Sequence, residues 1–144
     1  MEKFNVKMKS ALTLVVTITA LLFTSCNGNA QQAQGGEGTI QNVSAEQFKQ
    51  AENNSEVILL DVRTPNETKQ GVIEGAVTMD IYNADFDQKL STLDTTKQVY
   101  VYCRSGARSS KAAEKLEAMG FNKVYNLKGG ILGWQNAGEN TVKP

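Results

Sequence analysis

The chain has 144 residues, of which 40% are hydrophobic and 21% are charged, a composition typical of one soluble globular domain. Its fifteen basic residues balance its fifteen acidic residues, and no basic run is interleaved with aromatic residues, so we expect no nucleic-acid partner. The chain contains no histidine, the commonest metal ligand and general base, and only two cysteines. A metal site or a disulfide framework is therefore not expected.

Residues 1–25 have the pattern of an export signal and are not expected to belong to the fold. Three lysines precede an uninterrupted apolar run over residues 11–23, which is short for a bilayer span. The run ends in Leu-Phe-Thr-Ser-Cys, which resembles the lipobox of bacterial lipoproteins except at Phe23, where leucine is more usual. The resemblance implies that the signal is cleaved before Cys26 and that Cys26 is lipidated. Ordinary secretion, with Cys26 free or removed, is the alternative.

Residues 26–38 consist of the lipidated cysteine and a segment rich in glycine, glutamine and asparagine. This composition predicts a flexible tether. Residues 39–144 are then one folded domain, exported to the bacterial cell envelope and held in the periplasm by the lipid anchor, the only membrane contact expected. If Cys26 is acylated, Cys103 is the only thiol left. An unpaired cysteine in an exported protein is a candidate reactive thiol.

Within the domain, short apolar runs alternate with helical patterns. Strands are predicted at residues 39–43, as a small edge strand, and at 57–62, 76–81, 98–103 and 123–127. Helices are predicted from capping boxes at Ser44 and Thr64, at 84–93, from near Ser109 to Gly120, and in a short last segment from 129. This alternation predicts an α/β domain with a mostly parallel sheet, whose ligands bind beyond the carboxyl ends of the strands.

Two of these strand ends carry polar residues, and they hold all three arginines of the chain. Arg63 follows the strand at 57–62, whereas Arg104 and Arg108 follow Cys103 in the run Cys-Arg-Ser-Gly-Ala-Arg. Arginine suits planar, bidentate binding of oxyanions, so Arg104 and Arg108 are predicted to bind an anion. For Arg63, a structural ion pair with an acid such as Asp61 or Glu67 is an equal alternative.

The loop after Cys103 predicts a reactive thiolate that needs no base. Backbone N–H groups between the strand and a helix starting near Ser109 can converge above the sulfur, and Gly106 permits the positive φ of such a turn. These amides, the helix dipole and the arginines all favour a thiolate. The alternative is a buried, inert cysteine at a strand end, which is the commoner case when no such residues flank it.

The sequence from about Val43 to Trp134 resembles the single-domain rhodaneses, a family of sulfurtransferases. The resemblance is carried, in order, by the stretches LLDVRTPNE, GVIEGAVTMDI and VYVYCRSGARSSKAAEKLEAMGFNKVYNLKGGILGW. It departs at residues 71–76, where the family often has Gly-His-Ile-Pro-Gly-Ala, and at Thr68, where an aromatic residue is common. Trp134 is interpreted as a core or rim aromatic.

The resemblance implies a fold and a set of site residues. The fold is a five-stranded, mostly parallel sheet flanked by helices on both faces, with the loop after a central strand. Cys103 is the nucleophile that becomes a persulfide, and no metal or organic cofactor is implied. Asp61 and Arg63 support the loop. The loop residues bind the persulfide and the donor, and among them Arg104 and Arg108 bind the donor. These loop residues are Arg104, Ser105, Gly106, Ala107, Arg108 and Ser109.

The implied reaction moves a sulfane sulfur from a donor such as thiosulfate to an acceptor, which is cyanide or a thiol. A thiol of another protein is one such acceptor. Two other functions stay open: a persulfide carrier or thiol-dependent interaction module, and a phosphatase or arsenate reductase on the same fold. Protein tyrosine phosphatases use a Cys-x5-Arg loop sized to a phosphoryl group. The Cys-x4-Arg loop here is one residue shorter and predicts a smaller cradle, which favours sulfur transfer.

Overall fold

The structure, a computed structural model, describes residues 39–144. The predicted export signal, Cys26 and the tether lie outside these residues, so the location in the cell envelope stays a prediction. The strands are β1 (Ile40–Val43), β2 (Val57–Asp61), β3 (Val77–Thr78), β4 (Gln98–Tyr102) and β5 (Val124–Leu127). The helices are α1 (Ala45–Phe48), extended by a 3₁₀ turn at Lys49–Ala51, α2 (Pro65–Thr68), α3 (Phe86–Leu90), α4 (Ala107–Ala118) and α5 (Gly130–Asn136).

The five strands form one parallel sheet in the order β1-β5-β4-β2-β3. The predicted five-stranded sheet is confirmed, with β1 at one edge and β4 in the centre. In the register of β2 and β4, Asp61 pairs with Tyr102. Because all strands are parallel, their carboxyl ends share one edge, and the residues that follow Asp61 and Tyr102 meet there.

Alternate side chains of the central strands build two cores, one on each face of the sheet. Val99 and Val101 of β4 pack with α3 and α4 on one face. Tyr102 of β4 packs with α1 and α5 on the other face, where Phe48 and Trp134 are fully buried. This alternation follows from the period of two in a strand, and it covers both faces, as parallel sheets require. The interpretation of Trp134 as a core aromatic is confirmed.

Two elements are shorter than predicted. β3 is limited to Val77–Thr78, both of them exposed, whereas a strand over 76–81 was expected. β2, the strand that pairs with β3, ends at Asp61 opposite Thr78, so β3 has no strand residue to pair with beyond this point. α3 ends at Leu90 because the hydroxyls of Ser91 and Thr92 donate to the carbonyl oxygens of Gln88 and Lys89, and such bonds compete with a further helical turn.

None of the helices within residues 39–144 is long and apolar enough to cross a membrane.

Candidate active site

The candidate active site is the loop between β4 and α4, at the carboxyl edge of the sheet. Cys103 directly follows β4, and only 1% of it is exposed. Its Sγ accepts a hydrogen bond from the backbone N–H of Gly106 at 3.1 Å, and the hydroxyl oxygen of Ser109 lies 3.5 Å from the same sulfur. The loop therefore curls back over the thiol.

The helix after this loop starts earlier than the sequence analysis predicted. α4 begins at Ala107 and not near Ser109, with Gly106 as its N-cap at a φ of +101°. This left-handed conformation is open to glycine and strained for other residues, and it turns the chain into the helix directly after Ser105. Ser109 therefore lies in the first turn of α4, where its side chain faces the Cys103 sulfur.

The loop holds the pKa of the Cys103 thiol below its ordinary value. Burial is the largest influence and by itself raises the pKa of the thiol. Hydrogen bonds from the Ser109 hydroxyl and from the backbone N–H groups of Ser109, Gly106 and Ser105 outweigh burial, because each of them favours the thiolate. The thiolate is thus stabilised without a histidine, which the chain lacks.

Replacing Ser109 by alanine is expected to raise the pKa of Cys103. The Ser109 hydroxyl has two acceptors, the Cys103 sulfur at 3.5 Å and the Gly106 carbonyl oxygen at 3.0 Å, and a thiolate is the stronger one. The measurement is the rate of iodoacetamide alkylation against pH, followed on the peptide that contains Cys103. Ser110→Ala is the matched control, since the Ser110 hydroxyl contacts Asn126. An unchanged profile in Ser109→Ala would mean that the backbone amides alone stabilise the thiolate.

The amino end of α5 fixes the outside of the same loop. The backbone N–H of Ile131 donates to the carbonyl oxygen of Cys103 at 2.8 Å, and that of Leu132 donates to the carbonyl oxygen of Arg104 at 3.2 Å. Because these two carbonyls point outward, the amides of the loop are free to point inward. Gly130 makes this approach possible, since a Cβ there would lie 2.4 Å from the Cys103 carbonyl oxygen. No local pattern in the sequence indicates this role for Gly130.

Asp61 and Arg63 form a buried ion pair beside the loop. The Arg63 guanidinium donates to both Asp61 oxygens, with Nη2 at 2.6 Å from Oδ2, and the two side chains are at most 5% exposed. Nη2 also donates to the carbonyl oxygen of Gly71 at 2.7 Å. Of the two alternatives for Arg63, the structure contains the ion pair with Asp61. The pair fixes the 63–71 segment, which carries α2, against the end of β2.

Arg108 forms a second ion pair. An ion pair was predicted from the sequence only for Arg63. Its Nη1 and Nη2 donate to the two carboxylate oxygens of Glu67 at 2.7 and 2.6 Å. Glu67 also accepts from the backbone N–H and the hydroxyl of Thr64, in the predicted capping box. Both outer nitrogens of Arg108 are thus engaged, and the ion pair joins α2 to the first turn of α4. On its open side the guanidinium lies 5.8 Å from the centre of the Tyr82 ring.

The other predicted loop residues lie around the thiol at different depths. Arg104, Ser105 and Ala107 are exposed, Gly106 is half-buried and Ser109 is buried. Within residues 39–144, no acidic side chain pairs with Arg104. Arg104 instead lines a cleft of about 130 Å³ together with residues of the 63–71 segment and of α5. Donor binding by Arg104 and Arg108 stays a prediction.

The Glu67–Arg108 pair is expected to make stability depend on acid pH. The pKa of Glu67 is lowered from 4.5 to about 2, first by the hydrogen bond from Arg108, against opposing desolvation, and further by the bonds from Thr64. The unfolded chain therefore binds the proton more readily, so this stabilisation is fully present above pH 4.5 and is lost as the pH falls toward 2. We expect a loss of about 2 kcal/mol, after allowing for solvent screening. Urea unfolding between pH 5 and 2 measures it, and Glu67→Gln should lack this part of the pH dependence; an equal dependence in both would contradict the assignment.

Comparison with known proteins agrees with this geometry. The family model described as Rhodanese-like domain matches residues 44–137. A sulfurtransferase from Allochromatium vinosum is 38% identical over 89 residues, which are 62% of this chain and 81% of that protein. A tRNA uridine(34) hydroxylase from Cytophaga hutchinsonii is 39% identical over 98 residues, but the match covers only 31% of its length and 65% of this chain.

Among solved structures, a rhodanese-related protein from Thermoplasma volcanium superimposes with a TM-score of 0.63 at 30% identity. The superposition covers 72% of this chain and 99% of that protein. The match to the family model thus spans β2, β4, the Cys103 loop and α5, the elements that form the candidate site. The chain belongs to the family of rhodanese-like domains.

Proposed function

We propose that the protein is a sulfurtransferase that carries a sulfane sulfur from a donor such as thiosulfate to a thiophilic acceptor, as a persulfide on Cys103. The observation that carries the proposal is the thiol of Cys103 itself, which is buried at a focus of N–H and O–H donors. The relative from Allochromatium vinosum is a sulfurtransferase, which supports the same reaction class.

The first half-reaction is a displacement at sulfur. The Cys103 thiolate attacks the outer sulfur of thiosulfate, the S–S bond of the donor breaks, and sulfite leaves with the electron pair. The product is the Cys103 persulfide, whose terminal sulfur is anionic. The N–H groups that favour the thiolate suit this sulfur as well, because it is likewise an anion and lies one S–S bond away from the sulfur that they contact.

The second half-reaction returns the thiolate. An acceptor such as cyanide attacks the outer sulfur of the persulfide, the new S–C bond forms, and the S–S bond breaks to release thiocyanate and the Cys103 thiolate. Both steps exchange one anion for another, so neither requires a proton transfer. A site without histidine is adequate for this chemistry.

Arg104 is the residue that we assign to the anionic end of the donor. Its side chain is exposed, it has no acidic partner within residues 39–144, and it lies directly after the nucleophile. The guanidinium geometry suits the oxygens of a sulfonate. Arg108 and Arg63 are already engaged by carboxylates, so we assign them to holding the loop and the 63–71 segment in place.

Thiocyanate formation from thiosulfate and cyanide tests this proposal. We expect turnover in the wild-type protein and none in Cys103→Ser. Arg104→Ala is expected to raise KM for thiosulfate by about tenfold or more, since it removes a charge-assisted contact to the donor, and to change kcat less. Arg104→Lys should recover part of the loss because it keeps the charge. An unchanged KM in Arg104→Ala would contradict the donor-binding role.

Two other results would point to other functions. A stable persulfide without turnover toward cyanide would indicate a sulfur carrier that needs a particular protein acceptor. Hydrolysis of a phosphate ester or reduction of arsenate, without any sulfur transfer, would indicate that the loop serves phosphatase or arsenate chemistry instead.

A further inference from the structure

The C-terminal residues 139–143 form a segment that lies against the 63–71 segment, and we call it the C-terminal strap. It begins beyond residue 137, where the match to the family model ends. Val142 and Val72 form an antiparallel bridge, in which the N–H of Val142 donates at 2.8 Å and the N–H of Val72 donates at 2.9 Å. The ammonium group of Lys143 lies 3.3 Å from the carbonyl oxygen of Lys69.

The other end of the strap is fixed to α5. The indole Nε1–H of Trp134 donates to the carbonyl oxygen of Asn140 at 2.8 Å, and the N–H of Glu139 donates to the carbonyl oxygen of Trp134 at 3.2 Å. Glu139 also forms an ion pair with Lys49. Trp134 is fully buried, so its indole N–H depends on Asn140 for a partner. The strap is therefore attached at both ends.

These two attachments are next in the chain to residues that line the cleft beside Arg104. Gln70 and Gly71 line one wall, and Leu132 and Gln135 of α5 line the other. Gly71 lies between the cleft and the strap, since a Cβ at Gly71 would be 2.8 Å from the Thr141 hydroxyl oxygen. The strap thus joins the two walls and packs directly against Gly71.

We propose that the C-terminal strap determines donor specificity, because by joining the two walls it sets the width of the cleft that Arg104 lines. A cleft of about 130 Å³ suits a small donor such as thiosulfate better than a donor that carries an aromatic ring. This proposal rests on the sulfur transfer proposed above. The strap acts through the walls and makes no contact with Cys103, so it is a positioning element.

The test compares two donors that leave the same sulfur on Cys103. Thiosulfate releases sulfite and benzenethiosulfonate releases benzenesulfinate, and cyanide takes the sulfur from the persulfide in both cases. The variants are a chain that ends at Gly138 and Val142→Pro, which removes the N–H that bonds to Val72. Val142→Thr is the matched control, because it keeps the β-branched shape and both backbone bonds. Trp134 is the only tryptophan, so its emission reports whether the strap has detached.

We expect kcat/KM for thiosulfate relative to benzenethiosulfonate to fall by about tenfold in both strap variants, the lower end of the effect that a change in pocket fit has on discrimination between substrates. Val142→Thr should keep the wild-type ratio. The proposal would be overturned by a folded strap variant in which the Trp134 emission has shifted but the ratio of kcat/KM between the two donors is unchanged. This holds even if both activities have fallen together. A wild-type protein that uses neither donor would instead contradict the proposed function.

Discussion

Gly130→Ala is expected to abolish most of the sulfur-transfer activity, by about a hundredfold or more, although residue 130 does not contact the Cys103 sulfur. The backbone at Gly130 has a φ of +57°, and a Cβ there would lie 2.4 Å from the carbonyl oxygen of Cys103 and 2.6 Å from that of Arg104. Both neighbours are backbone atoms of the Cys103 loop and cannot rotate away. The loop and α5 must therefore separate, and the amides that favour the thiolate lose their alignment.

The same substitution is expected to cost about 3 kcal/mol of stability, since backbone strain and overpacking each contribute about 1–3 kcal/mol. Gly120→Ala separates the cost of backbone strain from the cost of overpacking. Gly120 also has a positive φ, of +95°, but nothing lies within 4 Å of its Cβ position, so it should lose about 1 kcal/mol and keep full activity. Urea unfolding and thiocyanate formation measure both variants. Full turnover by Gly130→Ala would contradict the role given to the α5 contact.

Arg63→Met is expected to destabilise the protein by about 3–5 kcal/mol, because it leaves the carboxylate of Asp61 buried without its partner. Asp61 is fully buried, and the Arg63 guanidinium makes three contacts of 2.6 to 3.0 Å to its carboxylate oxygens as well as the bond to Gly71. A loss of this size is a large part of the stability of a domain of this length, so unfolding during purification is an expected consequence.

The control for Arg63→Met is the same change at the exposed arginine, Arg104→Met, which should alter stability by less than about 0.5 kcal/mol. A double variant, Asp61→Asn with Arg63→Met, should regain part of the loss, since it removes the unpaired charge. Urea unfolding of the three variants distinguishes these cases. A double variant less stable than Arg63→Met alone would show that the ion pair is not the cause.

The sequence predicts the fold well where local patterns and burial agree. Three elements lie near their predicted positions: α1 after the capping box at Ser44, α2 after the capping box at Thr64, and β2 at its apolar run. The prediction is wrong for the length of β3, because an apolar run does not show where the neighbouring strand, β2, ends. It is also wrong for the start of α4, because Ala107 and Arg108 were read as part of the anion-binding loop and not as helix.

The site could be located from the sequence, but its internal contacts could not. Cys103 and the turn at Gly106 are adjacent in the chain, so a local pattern carries them. The Glu67–Arg108 pair joins residues 41 positions apart, and the sequence offered Glu67 two local roles instead, in the capping box and as a partner of Arg63. The approach of Gly130 to the Cys103 carbonyl and the bridge between Val72 and Val142 are also long-range contacts. No periodicity in the sequence marks such pairs.

The most direct test of the account is the intact mass of the purified protein before and after incubation with thiosulfate, in the wild type and in Cys103→Ser. The account predicts a gain of one sulfur atom in the wild type, located on the peptide that contains Cys103, and its removal by cyanide. Cys103→Ser should gain nothing. A wild-type protein that gains no sulfur, or a Cys103→Ser variant that gains as much as the wild type, would contradict sulfur transfer through a Cys103 persulfide.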